Sequence, residues 1–149
     1  MCIIMAITCF MTGNHDAPQE IYPRILAEVK RHITEFGVAE FFVGAYGSFD
    51  SMAKRAVIEA KRTYPDVRLT LVMHYLNCRK YEMIQKEFDG SIYPDGLERS
   101  PMRFAIVRGN RIMAENTDFL IIYSANMAGN TRRLMDYAAE KNIMMTEIK

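Results

Sequence analysis

Glu40-Phe41-Phe42-Val43-Gly44-Ala45-Tyr46-Gly47-Ser48-Phe49-Asp50 is the stretch whose reading decides the fold. Glu40 to Gly44 reads as a short buried strand, Ala45 to Ser48 as a loop, and the residues after it as a helix with Ala53, Ala56, Val57 and Ala60 on its inward stripe. Small side chains on that stripe let the helix lie close to a sheet. Two glycines three apart allow a tight entry into the helix, so that its first-turn N–H groups face a crevice at the carboxyl end of the strand.

The same alternation repeats on both sides. Upstream, Ile3 to Phe10 is a β-rich run ending in the loop Thr12-Gly13-Asn14. Ile21, Ile25, Val29, Ile33 and Phe36 then recur at helical spacing, and Gly37 stops the pattern as a C-cap. Downstream, Pro65-Asp66 is a turn and Arg68 to Met73 a third strand. His74 to Ser100 loses periodicity, apart from a short helix over Arg79 to Phe88. A loop of that length is a functional or mobile segment. Pro101 opens a helix running to about Asn116, Asp118 to Ser124 is a fourth strand, Gly129 to Lys141 a helix, and Ile143 to Ile148 a last strand. Apolar strands alternating with helices predict one α/β domain over residues 1–149, a Rossmann-like three-layer sandwich around a parallel five-stranded sheet of order 3-2-1-4-5.

Composition sets limits. The chain has 149 residues, half of them apolar, enough for one core and too few for two. Nineteen Lys and Arg against 18 Asp and Glu leave a net charge of +1, so a nucleic-acid partner would need a local patch. Cys2, Cys9 and Cys78 have no metal-ligand spacing and read as ordinary buried or half-buried thiols in a reducing compartment. The apolar N-terminus lacks the basic region and cleavage site of a signal peptide, and no apolar run reaches the roughly 20 residues of a membrane span. A cytoplasmic protein is the expectation. The 12 methionines are scattered and read as core packing.

In an open parallel sheet a ligand sits at the carboxyl ends of the strands, where their order reverses. Three loops meet there: Thr12 to Asp16, Gly44 to Asp50, and Ser124 to Thr131. The candidate ligand-binding residues are Gly13, Asn14 and His15 in the first, and Gly44, Ala45, Tyr46, Gly47, Ser48 and Asp50 in the second. Ser124, Asn126, Gly129, Asn130 and Thr131 form the third group, ahead of another helix N-terminus, where Asn130 or Thr131 can equally be an N-cap. Asp50 is either a capping or first-turn acid or a contact to a sugar hydroxyl. Arg108 and Arg111 lie on one face of a helix and form either a phosphate clamp, with Asn110 nearby to add a hydrogen bond, or a solvated face in which Arg111 pairs with Glu115. His32 falls on the polar side of its helix, whereas His15 and His74 follow strands and are candidates to face the pocket. The glycine pair follows the second strand, not the first, so NAD and FAD are not expected. No nucleophile elbow, Walker loop or zinc-deaminase signature is present, and neither a metal nor another cofactor is expected.

Gly44 to Ala53 looks like the glycine-rich segment of the SMF/DprA–LOG (SLOG) superfamily. Arg108-Gly109-Asn110-Arg111-Ile112-Met113 is similar to its arginine-bearing helix, Ser124 to Ala139 to its closing small-residue loop and helix, and Thr12-Gly13-Asn14-His15 to its opening turn. The resemblance spans nearly the whole chain in order and implies a Rossmann-like fold, a nucleotide-type ligand, and a binding role for Arg108 and Arg111. It also implies self-association, which is frequent in the superfamily. Activities differ among its members: DprA-type proteins bind single-stranded DNA, LOG-type proteins cleave an N-glycosidic bond, and others sense nucleotides. The LOG-type glutamate would fall at Leu134, which removes the general acid/base of that reaction.

The leading expectation is therefore a binder of a small nucleotide or other phosphate-bearing ligand, without catalytic residues. The alternatives are an N-glycosidic hydrolase or transferase using Asp16, Asp50 or Asp136, and a single-stranded nucleic-acid module.

Overall fold

The computed structural model describes residues 6–76 and 79–149. Cys2, Cys78 and the start of the expected first strand lie outside them. In chain order the elements are β1 (Ile7–Gly13), α1 (Tyr22–Phe36), β2 (Val38–Val43), α2 (Ser48–Lys61), β3 (Arg68–Val72) and α3 (Arg79–Ile84). They continue with β4 (Gly90–Ile92), α4 (Ala105–Asn116), β5 (Phe119–Tyr123), α5 (Asn130–Glu140) and β6 (Met145–Glu147). Short 3-10 turns precede α1, follow α3 and lead into α4.

All strand pairs are parallel. Among the described residues the sheet has six strands in the order β4-β3-β2-β1-β5-β6, not five in the order 3-2-1-4-5. The difference is β4, drawn from the stretch expected to be a loop. It docks because Asp89 N–H donates to Leu69 O at 2.8 Å while the Asp89 carboxylate accepts the Leu69 N–H, also at 2.8 Å. Both edge strands, β4 and β6, are three residues long.

The two sheet faces carry separate cores, as burial on both sides of a parallel sheet requires. Cys9, Met11, Phe41, Val43 and Ile121 pack beneath α1 and α2 together with Ile25, Val29, Phe49 and Met52. Phe10, Leu120 and Ile122, one residue out of phase, meet Met113, Leu134, Met135 and Ala138 of α4 and α5. The expected stripe of Ala53, Ala56, Val57 and Ala60 is fully buried. Gly37 takes the left-handed conformation, φ 71°, at the end of α1.

Three expectations need correction. β1 runs to Gly13, so Thr12 and Gly13 belong to the strand; pairing with β5 continues to Gly13 opposite Tyr123. Pro101 opens a 3-10 turn, and α4 proper begins at Ala105. His32 is not solvated: its ring is fully buried, edge-on to Phe36 and Phe119, with Nδ1–H donating to Glu28 O at 2.7 Å. Its amphipathic ring fills an aromatic gap that periodicity alone assigned to the polar face. Cys9 is a buried thiol whose pKa burial pushes up. Among the described residues no helix is long and apolar enough to cross a membrane.

Candidate functional site

The carboxyl ends of β1, β2 and β3 converge with α4 and α5 on a cavity of about 270 Å³. Phe10, Met11, Ile106, Val107 and Leu134 give it an apolar lining, and Asp50, His74, Asn110, Arg111 and Arg133 give it polar groups. An apolar hollow with a few convergent polar groups is the usual form of a small-molecule site.

The first wall is built by glycine. Gly13 lies so close to Phe49 that a Cβ there would stand 2.5 Å from the ring carbon Cγ. Gly47 is the N-cap of α2 with φ 103° and ψ −173°, a region essentially confined to glycine. A Cβ on it would meet His15 Cα at 2.4 Å. The loop is locked to the segment after β1 by Ser48 N–H donating to His15 O at 2.7 Å and Ser48 Oγ donating to Ala17 O at 2.6 Å. Ser48 is thus engaged in holding the loop. Asp50, third residue of α2, accepts the Tyr46 N–H at 2.9 Å and so acts as a first-turn acid, while also bordering the cavity.

The second wall centres on His74. Its Nε2–H donates to Asn110 Oδ1 at 3.0 Å, which assigns Asn110 to an imidazole rather than to Arg108. Gly109 makes this approach possible, since a Cβ there would lie 2.7 Å from His74 Cδ2. A helix-interior glycine costs about 1 kcal/mol relative to alanine, so its presence beside His74 has a packing reason. Tyr81 fixes the opposite side: its hydroxyl oxygen accepts His74 N–H at 2.9 Å and Tyr75 N–H at 3.2 Å. With both acceptor positions filled, its proton points to Tyr46 Oη, 2.8 Å away.

The third wall carries positive charge. Arg111 borders the cavity with its guanidinium over the Tyr137 ring, 5.0 Å from the centroid. Glu115 does not pair with it; that carboxylate accepts from the Tyr137 hydroxyl instead. Arg108 is exposed and outside the cavity wall, which corrects the expected Arg108–Arg111 clamp. Three residues along a helix rotate a side chain about 60° away, enough here to swing Arg108 off the cavity arc. Arg133 of α5 supplies the second guanidinium. Among the described residues neither Arg111 nor Arg133 forms a salt bridge. Asn130 and Thr131, in the first turn of α5, also border the cavity, and the N-cap of that helix is Gly129, with no side-chain cap.

The remaining candidates have other places. Asn14 is a clasp: its Oδ1 accepts Ala125 N–H at 2.7 Å and its Nδ2 donates to Thr131 Oγ1 at 3.4 Å. Ser124 is buried and donates to Asn126 O at 2.9 Å, while Asn126 and Gly129 stay on the exposed loop. Ala45 and Gly47 border a shallower neighbouring cavity with Lys54 and Phe88. Gly13, His15, Gly44 and Tyr46 line the main cavity. Sequence reasoning missed Gly109, Arg133 and Tyr81 as site builders; only Gly109, a glycine inside a helix, carried a signal.

His32 and His74 share an electrostatic consequence. Burial lowers both pKa values from the ordinary 6.5, opposed by the hydrogen bonds to Glu28 O and Asn110 respectively. The folded state holds both rings neutral, whereas the unfolded chain protonates them near 6.5. Their contribution to stability is complete above that value and is lost as pH falls below it toward the lowered folded values. Urea denaturation is expected to give a lower stability at pH 5 than at pH 7.5, with a smaller difference in the His32→Leu/His74→Leu double variant.

No protein-family model matches the chain, and no curated protein matches it. Among solved structures it is similar to DNA processing protein A from Helicobacter pylori, a protein described for its single-stranded DNA binding mode, with a TM-score of 0.64 at 13% identity. The match covers 95% of this chain and 64% of that one. At this identity the likeness shows the fold: a parallel, Rossmann-like α/β sheet.

Proposed function

We propose that the cavity binds one nucleotide unit. Its phosphate rests against Arg111, Arg133 and the first turn of α5, and its sugar and base point toward Asp50, Tyr46 and His74. The observation that carries this reading is two guanidinium groups without acidic partners among the described residues, set beside an N-terminus that has no side-chain cap. The two cations come from α4 and α5, Asp50 from α2 and His74 from the segment after β3. The motifs that resemble the SLOG superfamily fall at this cavity and agree with the reading.

Such a unit has two sources, a free nucleotide or a position within a single strand. The structural neighbour, described for its single-stranded DNA binding mode, favours the strand. Exposed Arg108 on α4 gives a strand further positive charge beside the cavity, whereas Lys54 and Lys61 are already paired with Glu87 and Asp89. Bond cleavage has less support. Of Asp16, Asp50 and Asp136 only Asp50 borders the cavity, and it is engaged with the Tyr46 N–H. Leu134 places hydrocarbon at the position of the LOG-type carboxylate.

The test is fluorescence anisotropy with a dT20 oligonucleotide and calorimetric titration with nucleoside 5′-monophosphates. Charge-assisted hydrogen bonds contribute about 1.5–3 kcal/mol each, so Arg111→Ala and Arg133→Ala are each expected to weaken binding roughly 10–100-fold. A strand ligand gives dT20 affinity that falls steeply with salt. A free nucleotide gives monophosphate binding without dT20 binding. If neither probe binds at low ionic strength, the reading is wrong.

A further inference from the structure

We infer that the cavity selects its occupant through a hydrogen-bond donor on the base, received by the Nδ1 lone pair of His74; this rests on the nucleotide reading above. His74 is 3% exposed and borders the cavity. Its Nε2–H is committed to Asn110 Oδ1, which fixes the neutral tautomer and leaves Nδ1 as an acceptor. That nitrogen is closed from water and has no hydrogen-bond partner among the described residues. Buried polar atoms are paired in nearly all cases, and because His74 borders the cavity, a donor on the cavity's occupant is the partner we assign to this one.

The ring is also held more tightly than core packing asks. Gly109 and Gly44 approach it from two sides: an added Cβ would lie 2.7 Å from His74 Cδ2 at the first and 3.4 Å from Cε1 at the second. The Tyr81 hydroxyl fixes the backbone of His74 itself. Burial keeps the imidazole in its neutral, accepting form. Tyr46, edge-on to the ring with centroids 5.6 Å apart, sits on the loop between Gly44 and Gly47 and borders the cavity beside it.

The occupant's donor is an exocyclic amine or ring N–H, which every common base carries. Purine riboside 5′-monophosphate has the same phosphate and sugar but no such group. The experiment compares it with AMP, GMP, CMP and UMP by calorimetric titration. The tightest of the four is expected to bind wild type at least tenfold better than purine riboside 5′-monophosphate, because a site built around a hydrogen bond rejects the analogue lacking it. In His74→Leu that preference is expected to vanish while ribose 5-phosphate binds as before. The wild-type comparison stands independently of how well the variant folds. No preference in wild type, or a preference that survives in a folded His74→Leu, overturns this inference and leaves the nucleotide reading in place. Failure of all four monophosphates overturns it too, and failure of dT20 as well removes the reading beneath it.

Discussion

Phe49→Ala is expected to lower stability by about 3–5 kcal/mol, read as a shift in urea midpoint with an unchanged slope. The ring is fully buried at the start of α2, parallel to Tyr123 with centroids 6.5 Å apart. It also lies over Gly13 so closely that three of its carbons fall within 3.0 Å of the place a Cβ would occupy. Removing the ring therefore opens a hole between α2 and the carboxyl end of β1, beneath the main cavity. Gly13→Ala alone should also destabilise, by forcing that ring aside. In the Phe49→Ala background the added methyl enters vacated space, so its effect should shrink or change sign. A coupling of about 1–3 kcal/mol in the double-mutant cycle is the expected measure of this contact.

Gly47→Ala is the second large effect, and Gly129→Ala is its natural control. Both glycines are N-caps of cavity helices with nearly the same backbone, φ 103° and ψ −173° at Gly47, φ 107° and ψ 177° at Gly129. Their surroundings differ. A Cβ at Gly129 has nothing within 4 Å, whereas one at Gly47 collides with the backbone of His15. Gly129→Ala should cost only the conformational strain, about 1–3 kcal/mol, while Gly47→Ala adds a clash that a side-chain rotation cannot relieve, for about 3–5 kcal/mol. Equal losses in thermal or chemical unfolding would mean that the clash is absorbed by loop movement.

These residues show which parts of the molecule were legible in its sequence. The glycines at 13, 44 and 47 announced a crowded strand-to-helix turn because no other residue type tolerates it. The interior strands were legible for a similar reason: burial on both faces demands continuous apolar runs. β4 was not, because Gly90–Ile92 owes its strand form to hydrogen bonds from β3 and from the Asp89 side chain, neither of which leaves a periodic trace. His32 was misplaced because an imidazole counts as polar in any periodicity yet packs as an aromatic ring between Phe36 and Phe119. At the site, Arg111 was found but its partner was not: Arg133 comes from another helix, and the pairing exists only once α4 and α5 are laid side by side.

The two three-residue strands that finish the sheet bear on aggregation. A free sheet edge is a template on which another molecule can add a strand, and long, flat edges are where fibres and aggregates begin. Here β4 and β6 offer only three residues of backbone each, and Ser91 and Glu147 give those borders polar side chains. Edge-to-edge fusion has little to start from.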